Sequence, residues 1–216
     1  MRRTLTVVLI LCLLVGWSGL GRARGFGSGR VITMPTADTL PSSYLNLNYS
    51  RIGIDPASDL LAFNYGIKDD IQFGGRIAWR DEISDPKIYP GFKVNLLPER
   101  GRYQPMVSIG AEGWSDNLYA AASKLWPRYN LRAHLAVGDK GVIDDGLALG
   151  VSKVLNPVVI SSEESSFSLP ETKLEAEYNG GFNLGAEFKF NSGLIVEAGV
   201  ADLNSLWAGL SFENKF

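Results

Sequence analysis

The groups in this sequence that could do chemistry are a single histidine and a set of charged side chains. His134 is the only histidine. Membrane phospholipases use a serine and a histidine at the lipid boundary, so His134 raises the possibility of such an enzyme. No G-x-S-x-G motif is present, and sequence alternation places His134 on the same face as Arg132, away from lipid. We therefore predict a hydrogen-bonded histidine and no enzyme, with the phospholipase as the enzymatic alternative.

Motifs for metals, cofactors and nucleic acid are also missing from the sequence. No H-E-x-x-H, Walker A or dinucleotide fingerprint occurs. The only cysteine, Cys12, lies in a segment that we expect to be removed, which excludes thiolate sites from the mature chain. That removal leaves 17 basic and 23 acidic residues, a net charge of −6. We expect no cofactor, no metal site and no nucleic-acid partner.

The charged residues that could act together lie on one face of alternating strands, where they would converge in the lumen of a barrel. They are Arg76, Lys93, Arg132, His134, Lys153, Glu175, Glu177, Glu187, Lys189 and Glu197. The basic members lie mostly on middle strands and the acidic members on late strands, so opposite walls would carry opposite charge. Such an arrangement can select solutes in a pore. It can also form an ion-pair network that fills and shuts a narrow lumen; we favour the second interpretation.

The elements that would position these side chains are β-strands. Residues 181–190 alternate Phe182, Leu184 and Ala186 with Asn183, Gly185 and Glu187, and this period of two continues from Tyr44 onwards. Asn179-Gly180 is a strong hairpin signal between two such runs. The runs predict an all-β fold: an up-and-down antiparallel transmembrane β-barrel of about 12 strands, within a range of roughly 10 to 14.

Membrane lipid is the environment that best explains the pattern. Closure removes exposed strand edges, and in lipid it is compulsory because unpaired backbone groups are costly there. Phe216, at the end of a strand that also carries Phe212 and Leu210, resembles the signal by which the barrel-assembly machinery recognises outer-membrane proteins. The predicted partners are outer-membrane lipid and that machinery. The alternative is a secreted soluble barrel whose apolar side faces inward and binds an apolar ligand.

The chain divides into three predicted segments. Residues 1–25 have a basic start and an apolar stretch from Leu5 to Val15, which is typical of a signal peptide. Residues 26–42 are predicted to be a periplasmic lead-in, and residues 43–216 the barrel. The long connection 155–170 would fall on the periplasmic side, where turns are usually short. Either the strand count is wrong there or the connection contacts a periplasmic partner, and we expect an error in the strand count.

Several short motifs resemble the YjbH-like family of exported barrels, which is linked to exopolysaccharide production. They are Met34 to Pro41 (MPTADTLP), Tyr65-Gly66-Ile67 with Phe73-Gly74, Lys93 to Leu97 (KVNLL) and Glu175 to Gly180 (EAEYNG). Many members of that family are longer, so this chain would be a short form. The resemblance implies an outer-membrane barrel, structural or channel-like, with polysaccharide or export components as further partners and a role in the cell envelope. It implies no catalytic residues.

Overall fold

The structure, a computed structural model, describes residues 29–53, 58–80, 83–113, 117–156 and 169–216. The predicted signal peptide lies outside the described residues. The strands are β1 (Tyr44–Ile52), β2 (Ser58–Lys68), β3 (Ile71–Arg80), β4 (Ile83–Leu97), β5 (Met106–Glu112), β6 (Leu118–Trp126), β7 (Leu131–Gly138), β8 (Leu147–Val154), β9 (Glu171–Tyr178), β10 (Phe182–Lys189), β11 (Leu194–Ala201) and β12 (Ser205–Lys215). One 3-10 turn, Pro127–Tyr129, precedes β7. None of the described helical residues forms a segment long and apolar enough to cross a membrane.

The twelve strands form one closed antiparallel barrel in which each strand pairs with its neighbours in sequence. The seam joins β1 to β12 in a continuous register from Tyr44 opposite Lys215 to Ile52 opposite Trp207. Closure therefore leaves no strand edge along the barrel wall. The predicted fold class and strand number are confirmed.

The outer face of the wall is apolar. Large side chains such as Leu47, Phe63, Phe73, Phe92 and Leu149 project outwards and are between 40% and 52% exposed. The side chains between them point into the lumen because successive residues of a strand point to opposite faces. The apolar stripe of each amphipathic strand thus faces outwards, as it does in a barrel surrounded by lipid.

The lumen contains both apolar and polar buried residues. We call the end that carries Tyr44 and Lys215 the terminal end, and the other the opposite end. Buried apolar residues gather towards the opposite end, where Ile52, Leu60 and Trp207 pack with Val142 and Ile143 from the connection between β7 and β8. Polar residues such as Asn46, Asn48, Gln72 and Ser211 line the rest of the lumen and are buried.

The long connection 155–170 joins β8 to β9 at the terminal end. The strands on either side of this connection, β8 and β9, pair directly with each other in a barrel of the predicted twelve strands, so the expected error in the strand count was wrong. Residues 157–168 of this connection lie outside the described residues.

The segment before β1 lies inside the barrel. Ile32, Met34 and Ala37 are 1%, 0% and 0% exposed, and the segment contacts lumen-facing side chains from several strands around the wall. Sequence analysis predicts a periplasmic lead-in for residues 26–42, whereas residues 29–40 fill part of the lumen. We call residues 29–40 the lumenal segment. The physical reason is that its apolar residues and its backbone groups find partners on the inner wall.

Candidate functional site: an occupied lumen

The lumenal segment turns back on itself like a short hairpin. The Val31 N–H donates to the Met34 carbonyl at 3.1 Å, and the Thr36 N–H donates to the Gly29 carbonyl at 2.9 Å. Arg30 and Pro35 form an isolated bridge between its two arms. The turn leaves the N–H groups at its tip free to bond with the wall.

The carboxylate of Glu177, on β9, accepts hydrogen bonds from those N–H groups. It accepts the backbone N–H of Ile32 at 2.9 Å, of Thr33 at 2.8 Å and of Met34 at 3.1 Å, together with the Thr33 hydroxyl. The side-chain amide of Asn183 donates to the same carboxylate at 2.8 Å. Glu177 is 3% exposed. Charge-assisted hydrogen bonds in a buried setting are strong, so this carboxylate is the main anchor of the segment.

The wall on the other side supplies partners for the remaining backbone groups of the segment. Lys93 of β4 donates to the carbonyls of Gly29 and Asp38 at 2.9 and 2.8 Å. The Ala37 N–H donates to Ser123 Oγ at 2.9 Å, and Ser108 Oγ donates to the Ala37 carbonyl at 2.6 Å. Buried backbone groups are costly when unpaired, so these bonds allow an irregular segment to lie in the lumen.

Two glycines on the wall leave room for the apolar side chains of the segment. A Cβ at Gly150 of β8 would lie 2.7 Å from Met34 Sδ and 3.5 Å from Val31 Cβ. A Cβ at Gly185 of β10 would lie 3.3 Å from Ile32 Cδ1. Larger inward side chains at these positions would compete with the segment for space.

Ion pairs join the segment to the basic wall. Arg132 of β7 holds both carboxylate oxygens of Asp38, and its Nη1 lies 2.7 Å from Glu99. Glu112 of β5 binds Arg30 of the segment, and Arg76 Nη1 lies 3.1 Å from the same carboxylate. Arg30 and Asp38 of the segment thus form ion pairs with oppositely charged side chains on two different strands, β5 and β7.

Glu99, in the connection after β4, is held in its charged form. Burial alone would raise its pKa, but the N–H of Leu125 at 2.9 Å, Lys124 at 3.0 Å and Arg132 at 2.7 Å together lower the pKa below its usual value. A charged Glu99 helps to orient Arg132 towards Asp38.

His134 lies within a covered hydrogen-bonded group. Its Nδ1 is 2.9 Å from Ser123 Oγ, and its Nε2 is 3.3 Å from Ser152 Oγ. Asp38 Oδ2 lies 4.0 Å from Nδ1. These residue types could suggest a hydrolase, and sequence reasoning missed both serines. Ser123, His134 and Ser152 are 1%, 6% and 9% exposed, however, and Ser123 already binds the segment, so a substrate has little access to the histidine.

The predicted lumen charges are placed as follows. Arg76, Lys93, Arg132, His134, Glu175, Glu177, Glu187, Lys189 and Glu197 face the lumen. Lys173, which was not among the predicted residues, lies between Glu175 at 3.0 Å and Glu187 at 2.6 Å. Alternation along residues 171–178 puts Lys173 on the face of Glu175 and Glu177, which is the signal that could have found it.

Lys153 is a correction to the predicted set. It is exposed and lies opposite Leu131 and Leu174, two residues of the outer face. Ser152, one residue earlier, takes the lumen position. Lys153 lies one residue before the end of β8, where a long side chain can reach past the apolar belt towards water.

The predicted assembly-signal residues lie on and beside the outer face of β12. Phe212 is 42% exposed and Phe216 is 73% exposed, while Leu210 is half-buried. The Phe216 N–H donates to the Ser43 carbonyl at 2.8 Å, next to the seam with β1. Phe212 and Leu210 are therefore on the side that a surrounding lipid would contact.

Comparisons with known proteins give a match at the level of structure. No family model and no curated protein sequence matches the chain. A solved structure of KdgM porin is similar with a TM-score of 0.50 and 13% identity, over 79% of this chain and 99% of the porin. KdgM porin in complex with disordered oligogalacturonate gives a TM-score of 0.49 at 12% identity with the same coverage. A mutant of the Rh. blastica porin gives 0.34 at 10% identity, over 79% of this chain and 98% of that chain. The chain thus has a porin-type fold.

Proposed function

We propose that this chain is an outer-membrane β-barrel, structural or channel-like, whose lumen is closed by its own N-terminal segment. One observation carries the proposal: the apolar face of the wall points outwards, while the lumen is polar and occupied. A soluble barrel that binds an apolar ligand would need the reverse arrangement. The similarity of fold to KdgM porin supports the membrane setting.

The closed state follows from the size of the barrel. Eight strands enclose a space that side chains alone can fill, whereas 16 to 18 strands leave an aqueous channel. Twelve strands lie between these limits, and here the lumenal segment takes up the extra space. Ion pairs also lie in the lumen, and those of Glu112 and Arg132 bind Arg30 and Asp38 of the segment itself. The segment is therefore the main element of closure in this proposal.

A link to surface polysaccharide extends the proposal. Its support is that the motifs behind the YjbH-like resemblance contact one another. Met34 to Pro41 supplies much of the lumenal segment, Lys93 and Glu177 bind that segment, and Gly66 passes so close to the Pro41 carbonyl that a Cβ would lie 2.0 Å from it. In this chain these motifs thus belong to the barrel wall and to the segment that fills it, which supports our proposal of a role in the cell envelope. We propose no catalytic activity.

The test of the membrane proposal compares two single-tryptophan variants of the mature chain in vesicles that contain brominated lipid. One has its only tryptophan at position 73 (Phe73→Trp), on the outer face, and the other retains only Trp207, which is 4% exposed in the lumen. We expect the bromine atoms to quench the tryptophan at 73 strongly and Trp207 only weakly. Folded monomers in plain buffer, with both tryptophans equally insensitive to lipid, would contradict the proposal.

A further inference from the structure

A cavity of about 280 Å³ remains beside the lumenal segment. It lies between that segment and the lumen-facing residues of strands β9 to β12 and β1, towards the terminal end. Its charged lining consists of Asp38, Glu171, Glu187, Glu197 and Glu213 together with Arg30, Lys173 and Lys189. Five acids face three bases, so we call it the acidic cavity. Arg30 and Asp38 are already paired with Glu112 and Arg132, on the far side of the segment.

Two carboxylates in the acidic cavity face each other. Glu187 of β10 and Glu197 of β11 are directly opposite in the strand register, an arrangement in which like charges repel. Lys173 already forms ion pairs with both Glu187 and Glu175. Glu197 accepts the Asn48 amide at 3.1 Å, and within the described ranges no lysine or arginine forms an ion pair with it. Among the described residues, Glu197 therefore has no cation of its own at ion-pair distance, although Lys173 lines the same cavity.

The adjoining wall of β1 offers further acceptors. Asn46 lines the acidic cavity and is 1% exposed, and its Oδ1 has no hydrogen-bond partner. The next two lumen-facing residues of β1, Asn48 and Ser50, also have an oxygen without a partner. Buried acceptors without donors cost free energy. The wall beside Glu197 is thus short of donors as well as of positive charge.

We propose that the acidic cavity binds a small organic cation with a primary ammonium group, with Glu197 as its principal partner and Asn46 and Glu187 beside it. An ammonium group carries one positive charge and three N–H donors, which matches what this wall lacks. In the described part of the chain no three His, Cys, Asp or Glu side chains are grouped to hold a metal ion, so the geometry favours an organic cation. This inference goes beyond the proposed function; it rests on the part of it that places the lumenal segment inside the closed barrel, and it does not require the membrane setting.

The test is calorimetric titration of the full chain, purified in micelles after export, with 1,4-diaminobutane; 1,4-butanediol serves as the uncharged probe. We expect saturable binding of the diamine and none of the diol. Glu197→Gln is expected to weaken binding by about tenfold or more, because it removes a charge-assisted hydrogen bond. Asn46→Leu is expected to weaken it as well. Asp145→Asn makes the same change of charge at the exposed connection after β7 and should leave the affinity unchanged.

Heat-modifiable gel migration of the same samples shows whether each variant is folded. If Glu197→Gln does not fold, the affinity of the Asn46→Leu variant for the diamine tests the proposed site. Loss of affinity in the cavity variants with retention in Asp145→Asn supports the site. Folded wild-type protein that does not bind the diamine, or cavity variants that bind it as tightly as wild type, would overturn it. Because binding is measured in micelles, this outcome is independent of the quenching result in vesicles.

Discussion

Replacing Val31–Ala37 with a flexible Gly/Ser sequence of equal length is expected to convert an insulating barrel into a conducting one. The replacement keeps the backbone N–H groups that Glu177 binds. It removes the side chains of Ile32 and Met34, which fill the lumen and belong to the same buried apolar cluster as Val142 and Ile143. Without those side chains a twelve-strand lumen has space for water. Planar-bilayer recording should show stable current steps for the variant and a closed baseline for wild type.

A suitable control is Tyr103→Ser, which alters an 84% exposed aromatic side chain in the connection after β4 and leaves the lumenal segment untouched. It should remain closed. If the wild-type barrel already conducts as well as the Gly/Ser variant, the segment does not close the lumen.

Glu177→Gln is expected to have the second largest effect, a loss of about 3 kcal/mol or more in the free energy of unfolding. A neutral amide keeps the shape but loses the charge that several N–H donors share, and it brings two donors of its own into a group of donors. The difference in the free energy of unfolding between the variant and wild type is measured by urea unfolding in micelles, with gel migration as the readout of the folded fraction.

The matched control for that experiment is Glu213→Gln on β12. Glu213 also faces the lumen, but its partner Lys189, at 2.8 Å, is 41% exposed. A partly solvated pair of this kind contributes roughly 1 kcal/mol or less. Equal losses in the two variants would show that Glu177 has no special role in anchoring the segment.

Most of the fold could be predicted because each strand carries its own signal. In residues 181–190 the apolar side chains occupy every second position, so the two faces are distinct without knowledge of the rest of the chain. The prediction for Lys153 conflicts with this alternation, because Leu147, Leu149 and Val151 lie on the same face of β8 as Lys153. Strict alternation would have put Ser152 in the lumen.

The occupied lumen could not be predicted by the same means. Residues 29–40 have no period of two or of 3.6, so they gave no sign of regular structure. Ile32, Thr33 and Met34 are about 145 positions from Glu177, and the pairing depends on backbone N–H groups whose direction is set only by the folded turn. The cluster Val31, Ile32 and Met34 was the available hint, since neighbouring apolar residues in a segment without regular periodicity still tend to be buried.

The most direct test of the central claim is whether the lumenal segment can be cross-linked to the inner wall. The mature chain is predicted to lack cysteine, and a Cβ at Gly150 would lie 3.5 Å from Val31 Cβ, which is within the range of a disulfide. The same Cβ would lie 2.7 Å from Met34 Sδ, so the flexible Met34 side chain has to shift to admit it. We predict that Val31→Cys with Gly150→Cys forms a disulfide in the folded barrel, detected by mass spectrometry without reductant. Val31→Cys with Lys153→Cys, on the outer face, should keep both thiols free. Free thiols in the first pair of a folded barrel would contradict the account.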